Sequence, residues 1–136
     1  HRIGGEAVSI RKAGMGPRHF VSRATRHRLV EGLRPDDFKF WFDEEQRCAA
    51  PILTTVIERA PGAPVLLTGD GGWQRDWVSV PAAVEFESGA GRWAICQVSL
   101  ENRLRTNPAA NLFAMRLLDL LPCGSTKVAQ PLEVSV

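Results

Sequence analysis

Residues 88–121 constrain the fold of this chain more than any other stretch, because a turn, an apolar strand and an apolar helix follow one another there with little polar interruption. Ser88-Gly89-Ala90-Gly91 predicts a tight turn, since glycine takes positive φ without a Cβ penalty. Trp93-Ala94-Ile95-Cys96-Gln97-Val98 is a near-continuous apolar run, which predicts a strand covered on both faces, with Trp93 in the core. Asn107-Pro108 then opens a helix. Asn caps free backbone N–H groups, and Pro at the first helical position has no N–H to lose. The helix, over 109–121, carries only Asn111, Arg116 and Asp119 as clearly polar side chains. So wide an apolar face calls for cover by a sheet and by a second surface. No nucleophile, metal cluster or phosphate loop interrupts this packing unit.

The rest of the chain reads as strands and turns. Residues 78–87 and 92–99 predict an antiparallel hairpin across 88–91. Residues 6–10 read as a short strand and 13–17 as a loop, by their Gly and Pro content. Thr25 caps a short helical turn through Val30, closed by Gly32, and Pro35-Asp36-Asp37 makes a tight turn. Phe38-Lys39-Phe40-Trp41-Phe42 reads as an aromatic strand, with Trp41 packed among the phenylalanines. Residues 54–58 and 65–68 read as strands broken by Pro61-Gly62, and Gly69-Asp70-Gly71-Gly72 as a flexible loop. Pro122 and Gly124 stop the helix, and Pro131 interrupts the tail 127–136. The fold class is α/β: a strand-rich mixed sheet with one dominant C-terminal helix, without repeats.

At 136 residues the chain suits one domain that buries roughly two thirds of its unfolded surface. No run reaches the roughly 18 apolar residues that a membrane helix needs, so no membrane partner is expected. The three cysteines, Cys48, Cys96 and Cys123, lack CxxC spacing, which disfavours zinc and a disulfide framework. A buried free thiol at Cys96 leans towards a cytoplasmic location. Net charge is +2 but uneven: residues 1–28 hold seven Lys/Arg against Glu6 alone, and 31–47 hold six acids against three bases. The reading is that arm and acidic loop are solvated or complement each other within the fold. A nucleic-acid arm is the sharper and less favoured alternative, because clustered Arg releases counterions from phosphates but no basic face extends beyond it here.

Gly89, Gly91-Arg92-Trp93, Ile95, Gln97-Val98, Leu100, Arg103-Leu104 and Asn107-Pro108-Ala109-Ala110 together resemble the C-terminal part of a known domain. It is the glutamine-amidotransferase-like, flavodoxin-like accessory domain of large bacterial glycoside hydrolases related to family 2 β-galactosidases. His19-Phe20-Val21, the run His27 to Leu33, Pro35-Asp36-Asp37-Phe38 and Trp41 resemble the segment that precedes its final strands, with Arg28 where proline is usual. The likeness spans about 19–121 and rests on order and spacing, since no single motif in it is diagnostic. It implies the later part of a layered flavodoxin-like fold, with residues 1–124 a single accessory domain of a larger chain and 125–136 a C-terminal strand or linker. It also implies a non-catalytic role in a glycosidase parent, packed on that parent's other domains or at a homo-oligomer interface, with no cofactor.

Other roles would each need a site of their own. A cysteine hydrolase needs a thiol on a strand–helix elbow beside backbone N–H donors, and a His–Glu pair. Cys48 and Cys96 lack the small flanking residues, Cys123 follows Pro122 at a helix end, and His1, His19 and His27 form no H-x-E pair. A glycosidase needs two carboxyl groups about 5–10 Å apart; Asp36-Asp37 and Asp43-Glu44-Glu45 read as solvated loops or caps. No catalytic or metal residue is therefore assigned. The serious competitor is a carbohydrate-binding module. Trp73 and Trp77 would stack on sugar, with Asp70 and Arg75 as orienting polar groups.

Overall fold

A computed structural model describes residues 1–14, 20–21, 26–39, 41–72 and 75–120. In chain order it holds β1 (Arg2–Ile3), β2 (Glu6–Ala7), β3 (Ser9–Lys12), β4 (Phe20–Val21), β5 (Trp41–Asp43), β6 (Cys48–Ala50), β7 (Thr55–Arg59), β8 (Ala63–Gly72), β9 (Arg75–Ser88), β10 (Gly91–Cys96) and one helix, α1 (Pro108–Leu120). It is a strand-rich α/β fold whose described strand pairings are all antiparallel. Four strands form the main sheet in the order β10-β9-β8-β4, and β1-β2, β3-β7 and β5-β6 make two-stranded sheets.

The hairpin across residues 88–91 forms as its sequence predicts. Gly91 pairs with Ser88, leaving the two-residue loop Gly89-Ala90. Gly89 takes φ +62° at the first loop position, as a type II′ turn requires. Two-sided burial, however, belongs to β9 and not to β10. Ala82, Ala83, Val84 and Phe86 of β9 are all buried. Among the described strands β10 lies at the sheet edge, bonded to β9 alone, and Trp93 is 39 % exposed, its indole lying against Gly4. An apolar run signals burial without saying which strand has neighbours on both sides. β9 hides that signal behind small residues and Pro81.

Two other expectations shift. Gly69-Asp70-Gly71-Gly72 is strand, not loop: it ends β8, with Asp70 opposite Val78. The aromatic strand starts only at Trp41, because Pro35–Phe38 winds into a 3₁₀ turn in which Asp37 Oδ2 accepts the Arg34 N–H at 2.7 Å. Trp41 packs as expected. Its ring stacks on Phe38 (centroids 5.9 Å apart), and both meet the edge of Phe113 from α1. These three rings are fully buried with Leu29, Ile52, Leu53 and Leu66 in the main core, on the α1 side of the sheet. Val8, Ile57, Val84, Phe86 and Ile95 form a smaller cluster. The tail 125–136 lies outside the described residues, as does the Thr25 cap.

α1 starts where the sequence places it. Asn107 Oδ1 accepts the Ala110 N–H at 3.0 Å, and Asn107 O accepts the first intrahelical bond from Asn111. Ala110, Phe113 and Leu120 turn inward.

Candidate functional site

Asp70 is the one sequence-predicted ligand residue whose side chain the structure describes. Trp73 lies outside the described residues. Arg75 and Trp77 are placed only by backbone, Arg75 opposite Gly72 at the start of β9. Asp70 is buried, and both its oxygens have partners within the fold: Arg11 Nη2 stands 2.6 Å from Oδ2, and the Gly14 N–H donates to Oδ1 at 2.8 Å. Burial pushes its carboxyl up. The Arg11 hydrogen bond and charge and the N–H groups of Gly14 and Gly71 outweigh that push and hold it below the ordinary carboxylate value. Asp70 thus anchors the basic arm to the end of β8.

The acidic loop is also engaged: among the described residues, its acids 43–45 bond to the β10–α1 connection. Asp43 and Arg103 form a buried ion pair at 3.3 Å, with side chains 6 % and 7 % exposed. Arg103 Nη1 also donates to the carbonyls of Ser99 and Glu101. Glu44 Oε1 accepts from the Arg105 and Thr106 N–H groups, and Asn102 donates to Glu45 Oε2 at 2.8 Å. The acids therefore hold the turn that delivers the chain into α1. A pair of catalytic carboxylates would need one acid freed from such duties.

One constellation escaped the sequence. His27 Nε2 lies 2.7 Å from Glu85 Oε2, and Arg92 Nε lies 2.7 Å from Glu85 Oε1 without the alignment of a hydrogen bond. Glu85 pairs with Ala94, two residues before Cys96, so Glu85 and Cys96 project from one face of the sheet. A thiol, an imidazole and a carboxylate on one face invite comparison with a cysteine hydrolase. The details oppose it. The Leu29 N–H donates to His27 Nδ1 at 3.2 Å, so Nδ1 must be the acceptor and Nε2 carries the proton given to Glu85. Neither ring nitrogen keeps a lone pair for a thiol. Burial, against a weaker opposing hydrogen bond from Val98, pushes the Cys96 thiol up to about 11, although the residue as a whole retains some exposed surface. His27 and Glu85 clamp the 27–33 turn onto the sheet; residues 58 apart in sequence gave no local signal of it.

The remaining feature is apolar and outward. Leu112, Met115 and Leu118 of α1 are 39, 58 and 66 % exposed, and Leu104 lies beside them. A shallow depression of about 300 Å³ opens between Leu104, Arg105, Pro108, Asn111, Leu112 and Met115. Among the described residues no group of three or more His, Cys, Asp or Glu side chains is arranged to hold a metal, and no helix is long and apolar enough to cross a membrane. No family model, curated protein or solved structure matches the chain.

Proposed function

We propose that this chain is a non-catalytic architectural domain of a bacterial glycoside hydrolase, packing against the parent's catalytic module or a partner subunit. The observation that carries the reading is the outer face of α1, where three large apolar side chains stand exposed on a helix whose N-terminus Asn107 caps. Monomeric surfaces scatter such residues; a contiguous row of them marks a surface that another surface covers. Beside it, the acids of residues 43–45, Asp70 and the His27–Glu85 pair are all engaged in holding chain segments together.

The finer reading takes the main sheet and α1 as the later part of a flavodoxin-like, glutamine-amidotransferase-like layered domain, whose parallel units would come from chain upstream. The free thiols at Cys48 and Cys96 fit a cytoplasmic setting. The test is direct. The purified chain should show no turnover of nitrophenyl galactosides or of glutamine, and activity that tracks the protein through purification would refute the proposal. The carbohydrate-binding alternative at Trp73 and Trp77 now lacks Asp70 as a free orienting group. It predicts saturable tryptophan quenching by galactosides that Trp73→Ala abolishes.

A further inference from the structure

Helix α1 has two apolar sides. Ala110, Phe113 and Leu120 enter the core, whereas Pro108, Leu112, Met115 and Leu118 recur at spacings of three and four residues on the opposite side. The outer side is uneven. Met115 and Leu118 stand out towards its C-terminal half, and the depression lined by Leu104, Arg105, Pro108, Asn111 and Leu112, with Met115 as its C-terminal wall, occupies its N-terminal half. A ridge and a hollow on opposite halves of one face fit each other when the face is turned end for end.

We propose that this face is an isologous interface between two copies of the chain, with the two α1 helices antiparallel. A twofold axis passing between Asn111 and Leu112 sets Pro108 opposite Met115 of the second copy. It also sets Leu104 beside Asp119 and Arg105 beside Leu118 of the second copy, so that Arg105 and Asp119 are neighbours across the seam. Each ridge then fills the other's hollow, and Leu112 meets its own equivalent near the axis.

Charge fits the same arrangement. The Arg105 side chain is 90 % exposed, 3.8 Å from Glu44 Oε2 in a loose surface pair. Asp119 is exposed in the last turn of α1, where the helix dipole disfavours an acid. An antiparallel neighbour brings its own helix N-terminus and its Arg105 to this carboxylate, twice per dimer. A lipid surface fits less well, because Asn111 and Asp119 lie within the apolar face itself, Asp119 four residues beyond Met115, and a carboxylate there opposes insertion.

The inference rests on the architectural reading by naming its partner, and the two fail differently. Turnover would remove that reading without changing any mass. Sedimentation equilibrium of the chain between roughly 1 and 500 μM should show a monomer–dimer equilibrium, with Met115→Glu raising the dissociation constant ~100-fold. Circular dichroism and the thermal midpoint of the diluted variant should match the parent's, since Met115 is outside the core. With Cys48 and Cys123 replaced by Ser, Leu112→Cys should form a covalent dimer under mild oxidation at least ~10-fold faster than Leu104→Cys, because only the former faces its own copy. A monomer at every concentration overturns the proposal, as does a dimer that ignores Met115→Glu. Equal crosslinking at the two positions overturns the antiparallel register.

Discussion

At Asp70, desolvation and pairing pull in opposite directions, and pairing wins. A carboxyl held below its unfolded value adds stability above that value and loses it as pH falls through the folded one. Asp70→Asn should therefore lower stability at pH 7 by roughly 1–2 kcal/mol, discounted because Arg11 can reach solvent. The deficit should close as both proteins are acidified below about pH 4. Urea midpoints between neutral and strongly acid pH check it; a deficit unchanged across that range would show that charge is not the cause. Backbone strain supplies a second test. Arg47 sits at φ +51° in the β5–β6 turn and Asn102 at +57° before α1. Asn tolerates the left-handed region, whereas Arg pays a steric penalty there. Arg47→Gly should gain roughly 0.5 kcal/mol, after the entropy that glycine brings to the unfolded chain. Asn102→Gly would also lose the bond to Glu45, so the same gain is not expected there.

At the scale of elements, local chemistry was readable and neighbourhood was not. The Asn107-Pro108 start of α1 is written in two residues, so Asn107→Ala should cost about 1 kcal/mol by removing the Ala110 contact, read from a thermal or urea midpoint. The Gly89-Ala90 turn is equally local. Pro61-Gly62 announced a break, but not how tight it is. Gly62 stands at φ +88°, and a Cβ there would collide with the Glu85 carbonyl of β9. Gly62→Ala should cost more than about 2 kcal/mol, since strain and collision act together. The misread elements share a cause. Trp93 on β10 has the same hydrophobic character whether a further strand lies beside it or water does. Asp70, flanked by glycines, looks like a loop residue until Arg11 and Gly14, more than fifty positions earlier, arrive to satisfy it in a strand.

The whole molecule depends on such distant contacts. His27 reaches Glu85, Glu44 holds Thr106, and Arg116 of α1 donates to the Glu31 carbonyl at 2.5 Å. Each crosses between segments that no sequence window contains together, whereas the outer face of α1 is local, and its need for a second covering surface was legible in residues 109–121. If the sheet, the 27–33 turn and α1 open as one unit, a thiol under that assembly reports the opening. Cys96 is such a thiol, packed against the main core, and Cys48 on β6 is exposed. In a Cys123→Ser background, a disulfide reagent at pH 8 should modify Cys48 at once. Cys96 should react only at the rate set by global unfolding, because burial both excludes the reagent and keeps its sulfur protonated. The linkage has a definite sign. The native state keeps a proton that the unfolded thiol loses near pH 9, so stability should decline between about pH 9 and 11. Cys96→Ala should flatten that alkaline decline while it lowers stability at neutral pH. Fast labelling of Cys96 under conditions where α1 remains protected from hydrogen exchange would show instead that β10 opens alone, as an edge strand bonded on one side can.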